Sequence, residues 1–199
     1  MRPVNPERHE ARRRHILESA IACFMRKGFH ATRTAEICAE AGMSPGNLFH
    51  YFPSKEAIVI AIVEEDQRET AQWFAHAVQA ADLHAALLDL VSTSLRMLSD
   101  PVYTRIGLEV VAEAARNPVV AQCVARNEAD KRAQLIYLLE QAEQRQQLLL
   151  RMPAAQAADG ILLVLDGAFG RAIADGDFKA ERYEPLVLRA LDVILEGRS

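Results

Sequence analysis

Residues 34–52 read Thr34-Ala35-Glu36-Ile37-Cys38-Ala39-Glu40-Ala41-Gly42-Met43-Ser44-Pro45-Gly46-Asn47-Leu48-Phe49-His50-Tyr51-Phe52. Two short helical segments meet here at an Ala-Gly-Met-Ser turn. Gly42 supplies the left-handed turn residue, and small Ala41 lets the two helices approach. Ser44 followed by Pro45 is a helix start, with a capping oxygen and then a residue that has no N–H to satisfy. Leu48 and Phe52 are four apart and face inward, so Asn47, His50 and Tyr51 face outward, with Gly46 near the helix start. This is the shape of a helix-turn-helix, whose second helix lays its first residues against base edges in the major groove. Gly46 would allow close approach to DNA, Asn47 could read adenine, and His50 and Tyr51 could reach bases or phosphates. By pattern alone, a generic pair of core helices is about as good a reading.

The surroundings favour DNA. Residues 1–60 hold nine Lys or Arg against six Asp or Glu, a net charge of +3, although the whole chain carries −4. The remainder is therefore at −7, an asymmetry that suits a polyanion-binding N-terminal part fused to something different. Lys55 opens a long helix, where a cation opposes the helix dipole. It is a good choice there if an anion shares the helix N-terminus.

Of the 199 residues, 50% are apolar and 25% charged, which is ordinary globular composition. No apolar run approaches the roughly 18 residues of a membrane span, and the N-terminal segment does not read as a signal peptide. A cytoplasmic protein is expected. Cys23, Cys38 and Cys123 form no C-x-x-C pair, which suits reduced thiols rather than a disulfide scaffold or a zinc site.

Strand signals are nearly absent, so the chain reads as all-α, with about nine helices. Proline follows a capping residue at Ser44-Pro45, Asp100-Pro101 and Asn117-Pro118. A first helix over roughly 7–27 is closed by Gly28 in the C′ position. After the two short helices, Ser54 caps a helix over about 55–80. Further helices follow over roughly 83–98, 101–116, 118–149, 153–175 and 180–197. The boundary between the basic and acidic parts falls between Phe52 and Lys55, giving domains 1–54 and 55–199.

Gly28-Phe29, Thr32, Ile37, Ala41-Gly42-Met43-Ser44, Gly46, Leu48-Phe49-His50-Tyr51-Phe52 and Ser54-Lys55-Glu56 resemble the N-terminal signature of the tetracycline-repressor (TetR) family of bacterial transcriptional regulators. The resemblance covers about residues 10–62. Beyond them the chain is similar to that family only in helix number and length. The resemblance implies a homodimeric repressor on a palindromic double-stranded operator, released when a small-molecule effector binds the C-terminal bundle. By motif position it implies DNA contacts at Arg33, Thr34, Ser44, Gly46, Asn47, Phe49, His50, Tyr51 and Lys55. Phe49 departs from the family's usual tyrosine, so no hydroxyl is available there to meet a phosphate.

Gly160, Gly167 and Gly170 fall near one face of the helix over 153–175. Each costs ~1 kcal/mol relative to alanine, so close helix packing is an expected compensation. The resemblance assigns this packing to a subunit interface rather than to an intrachain contact. Trp73, Phe74, Tyr103 and Tyr137 are core-type aromatics that could line an effector pocket. The acidic surplus favours a neutral or cationic effector over an anion. Glu109 and Glu113 could form a catalytic or ligand-binding carboxylate pair, but with Arg105 and Arg116 the commoner reading is a solvated helix face with an Arg105–Glu109 i,i+4 pair.

No G-x-S-x-G, no H-E-x-x-H and no phosphate-cradling loop is present, so an enzyme is not expected. His9, His15, His30, His76 and His84 have no ligand spacing, so neither a metal nor another cofactor is expected. The rival reading is an architectural DNA-binding protein whose C-terminal bundle is solid and answers to no ligand.

Overall fold

Five helix starts are set by side-chain oxygens that take up otherwise unpaired N–H groups. Ser44 Oγ accepts from the Asn47 N–H at 3.3 Å, Asp100 Oδ1 from Val102 at 2.8 Å, and Asn117 Oδ1 from Val119 at 3.1 Å. Each precedes a proline, as the sequence suggests. Ser54 Oγ and Asp82 Oδ1 do the same for Ala57 and Ala85, at 3.2 and 2.9 Å. Such caps contribute about 1 kcal/mol each.

The structure is a computed structural model and describes residues 6–196. Arg2 and Pro3 lie outside the described residues, as does the end of the last expected helix at residue 197. Among the described residues the elements are α1 (Pro6–Ala31), α2 (Thr34–Glu40), α3 (Pro45–Tyr51), α4 (Lys55–Ala77), α5 (Leu83–Leu98), α6 (Pro101–Ala114), α7 (Pro118–Gln144), α8 (Ala154–Ala174) and α9 (Ala180–Glu196). The all-helical expectation is met. None of these helices is long and apolar enough to cross a membrane.

The chain forms two compact units, and they do not follow chain order. The first comprises described residues 6–65 together with 105–124. Its core joins Ile16, Ala20 and Phe24 of α1, Ile37 of α2, Leu48 of α3, Ile58 of α4, Ile106 of α6 and Val120 of α7. The second comprises 66–104 with described residues 125–196. Its core joins Leu83, Leu87 and Leu95 of α5, Leu138 and Leu139 of α7, Ile161 of α8, and Leu191 and Leu195 of α9. Packing therefore divides the chain differently from the expected boundary at 54/55. Long helices contribute apolar residues to either core: α4 places Ile58 and Val59 in the first and Ala77 in the second.

The regular helix stops at Gly28, as expected, with φ 77° and ψ 164°, and a separate short helical stretch carries α1 on to Ala31. That region of backbone space is essentially reserved for glycine. The break is held from outside the helix, by Glu109 and Lys55.

A candidate nucleic-acid interface

The turn between α2 and α3 is closed by main-chain bonds. The Gly42 N–H donates to the Ala39 carbonyl at 3.2 Å, and the Met43 N–H to the Cys38 carbonyl at 2.9 Å. With Gly42 at φ 61°, this pair of bonds is a Schellman closure. It fixes the direction in which α3 leaves. Leu48 and Phe52 are buried, at 1% and 3% exposure, and anchor α3 to the first core.

The opposite face of α3 is open. Ser44, Gly46, Asn47, Phe49 and His50 are all exposed, and no atom lies within 4 Å of where a Gly46 Cβ would stand. Phe49 is 47% exposed, a large apolar side chain without a place in either core. Tyr51 is half-buried. Its ring lies 4.8 Å from that of His9 on α1 and 5.6 Å from that of His50. The first turns of α1, with exposed Arg8 and Arg12, thus lie beside α3. Arg13 turns inward instead, 5.1 Å over the Phe52 ring and 3.8 Å from Glu64. Arg33 is exposed at the N-cap of α2, and Thr34 behind it is half-buried. The Arg33 N–H donates to Glu36 Oε2 at 2.8 Å, and Lys27 pairs with the other oxygen of Glu36. Those two bonds, the Arg33 N–H foremost, hold the Glu36 carboxyl below its ordinary pKa.

Lys55 has a different setting from the one its position suggests. Its ammonium donates to the carbonyls of Phe29 at 2.6 Å, Thr32 at 2.9 Å and His30 at 3.4 Å. It also lies 4.2 Å over the Phe29 ring. An ammonium has three hydrogens, and three carbonyls receive them here. The lysine that opens α4 is met here by the carbonyl end of α1. Burial pushes the Lys55 pKa down, while Glu56 and Glu113 oppose that shift.

Two α6 carboxylates complete this joint, and the sequence reading missed both. Glu109 Oε2 accepts the Phe29 N–H at 2.8 Å. Glu113 is 5% exposed, with Oε2 3.6 Å from His30 Nε2. The expected solvated face of α6 is, at these two positions, an internal grip on the end of α1. Their i,i+4 spacing was visible, but their partners, Phe29 and His30, lie at least 80 residues away.

In the second unit the expected pocket residues have different surroundings. The Tyr103 hydroxyl donates to Asp66 Oδ1 at 3.2 Å. Burial first, and then the Asp66 charge, push that phenol well above its ordinary pKa. Phe74 packs against the second core, Trp73 is half-buried, and Tyr137 is on the surface. The three glycines of α8 differ too. A Cβ on Gly160 would meet Ile194 of α9 at 3.3 Å, whereas Gly167 and Gly170 face open space. Leu163 of α8 and Leu186 and Val193 of α9 are exposed at 71%, 66% and 48%.

Two family models match this chain. Residues 16–62 match the bacterial regulatory proteins of the tetR family, and residues 80–196 match the BetI-type transcriptional repressor C-terminal domain. The HTH-type transcriptional regulator UidR of Escherichia coli is 34% identical over 111 residues, which is 55% of this chain and 55% of UidR. The match thus spans about half the length of that relative. The solved structure of Salmonella enterica GusR has a TM-score of 0.79 at 28% identity, covering 94% of this chain and 96% of GusR. FadR from Bacillus subtilis in complex with stearoyl-CoA shares the fold, with a TM-score of 0.78 at 18% identity, covering 94% and 99%. With matched models over both its helix-turn-helix and its C-terminal bundle, the chain belongs to the TetR family of bacterial transcriptional regulators.

Proposed function

We propose that this protein is a homodimeric repressor that binds a palindromic DNA operator and is released from it by a small-molecule effector. The observation that carries the reading is the face of α3. Ser44, Gly46, Asn47, Phe49 and His50 are exposed together on a short helix whose other side is anchored by Leu48 and Phe52. Asn47 and His50 would read base edges, Gly46 would admit the backbone of DNA, and Phe49 would meet a thymine methyl. Arg33, Thr34, Ser44 and Tyr51 would hold phosphates and set the register. Lys55 supports this surface from behind by fixing α1. Residues 1–54 act as the DNA-binding part and 55–199 as the sensing and dimerising part.

Dimerisation is supported by Leu163, Gly167 and Gly170 on one stripe of α8 and by Leu186 and Val193 on α9. Large apolar side chains exposed in this way are the material of an interaction site. A two-fold axis through these helices would give an isologous interface. Effector sensing is supported by the C-terminal family match, and by the small molecule named with FadR, a protein of similar fold. The effector would act by binding the released state better than the DNA-bound one.

A reporter gene placed behind the DNA upstream of this protein's own coding sequence tests the reading. Expression of the protein should lower reporter output, and Asn47→Ala with His50→Ala should restore it. Unchanged output with the unaltered protein would reject repression at that site.

A further inference from the structure

Asn127 of α7 is 4% exposed, yet half of its amide is unpaired. Its Nδ2 donates to Asp66 Oδ2 at 3.2 Å, while Oδ1 has no donor. The reverse amide orientation would set an oxygen against a carboxylate, so the assignment is fixed by the bond to Asp66. A buried carbonyl left without a donor is costly, and it persists where something else supplies the donor.

The rest of the cluster says what that partner is. Asp66 accepts from Tyr103 on one oxygen, and from Asn127 and Lys131 on the other. Lys131 is 3.3 Å from Asp66 and 3.3 Å from Glu128, which together engage two of its three ammonium hydrogens. Burial works against the charge on Lys131, but those two carboxylates hold its pKa above the ordinary value. Asn127 and Lys131 are one helical turn apart on the same face of α7. The site therefore offers one open acceptor and one open donor side by side, tied to the same carboxylate.

A hydroxyl is the group that donates and accepts at a single atom. The local charge narrows the choice further. Asp66, Glu128 and Asp166 outnumber Lys131, and burial together with Glu128 already raises the Asp166 pKa. A carboxylate ligand would be repelled, and an ammonium would compete with Lys131 for Asp66. Tyr103, packed on the second core, gives the site an apolar wall.

We infer that the second unit binds a neutral, hydroxyl-bearing small molecule, its hydroxyl donating to Asn127 Oδ1 and accepting from Lys131 Nζ. This rests on the reading of the unit as an effector sensor and names the chemical class of that effector.

The test is calorimetric titration of the full-length protein with matched ligand sets. Each set carries an alcohol, an amine, a carboxylate and a methyl counterpart on one framework, headed by 1-hexanol, benzyl alcohol, inositol and methyl glucoside. Alcohols should bind best within their sets. Asn127→Ser and Lys131→Met should each weaken them about tenfold or more, with circular dichroism checking that both variants fold. A crystal structure with the tightest alcohol should place its hydroxyl within hydrogen-bond distance of Asn127 Oδ1. Preference for carboxylates or amines, alcohol binding indifferent to both variants, or only water at Asn127 would overturn the inference. The same ligands are then added to the protein on its operator. Release by a compound that ignores Asn127 and Lys131 keeps the effector reading and overturns this site. An alcohol bound through Asn127 that leaves DNA affinity unchanged keeps the site and rejects the effector reading.

Discussion

Glu109 accepts the backbone N–H of Phe29 at 2.8 Å, joining residues 80 apart in sequence just past the break at Gly28. The bond and the break explain each other. A Cβ on Gly28 would stand 3.1 Å from Glu109 Oε1, in a backbone conformation that side chains rarely adopt. Gly28→Ala should therefore cost about 1–3 kcal/mol from the backbone conformation alone. Glu109→Leu should cost a similar ~1–3 kcal/mol by leaving the Phe29 N–H unpaired. Urea unfolding followed by circular dichroism would measure both, and wild-type stability in both variants would show the joint to be incidental.

Lys55 separates a structural from a phosphate-binding role. Lys55→Met leaves the carbonyls of Phe29 and Thr32 without a donor and should destabilise the protein by about 1–3 kcal/mol. It should leave the salt dependence of DNA binding unchanged. Arg33→Ala should do the reverse, keeping stability and lowering the salt slope by about 0.9 per subunit for each phosphate no longer neutralised. A fall in slope for Lys55→Met in the folded variant would return Lys55 to the DNA surface.

The start of α2 should be sensitive to acid. Glu36 is held below its ordinary pKa, first by the Arg33 N–H and then by Lys27. A carboxylate depressed in the folded state stabilises it above the unfolded pKa, about 4.3, and loses that effect as pH falls through the folded value. Glu36→Gln should thus lower Tm at pH 7. The gap from wild type should narrow as pH drops below about 4, in thermal melts recorded from pH 7 to 3. A gap that stayed constant would mean that the Glu36 charge contributes nothing.

Leu163→Glu and Gly167→Leu test the dimer. Both positions are open within the chain, so a folded subunit should tolerate them. An isologous interface over α8 should not, because one brings in a buried charge and the other overfills a close crossing. Sedimentation equilibrium should show monomers. Dimers of unchanged strength would place the interface elsewhere. Gly160 is unsuited to this test, because Ile194 of the same chain already packs against it.

What could be read from sequence was local. The caps at Ser44, Asp100 and Asn117, the left-handed Gly42, and the inward Leu48 and Phe52 all depend on neighbours within five residues, where spacing dictates geometry. Glu109 and Asn127 were misread or missed because their partners lie 80 and 61 residues away. A charged residue on an amphipathic helix reads as solvated until the fold brings a backbone end or a carboxylate against it. Gly160, Gly167 and Gly170 show the same limit. One spacing places all three near a single helix face, but only the fold shows which of them a neighbouring helix already covers.

Selection from a random duplex library, followed by fluorescence anisotropy at fixed salt, tests DNA recognition by α3 most directly. The expected outcome is a palindromic site with half-site centres about one helical turn, ~10 base pairs, or a multiple of it apart. It should be bound at least about 10³-fold more tightly than a scrambled duplex. Asn47→Ala and His50→Ala should each lose about 1–3 kcal/mol on the selected site and little on the scrambled one. Equal affinity for selected and scrambled duplexes, or selective binding untouched by both substitutions, would contradict sequence-specific recognition by this face of α3.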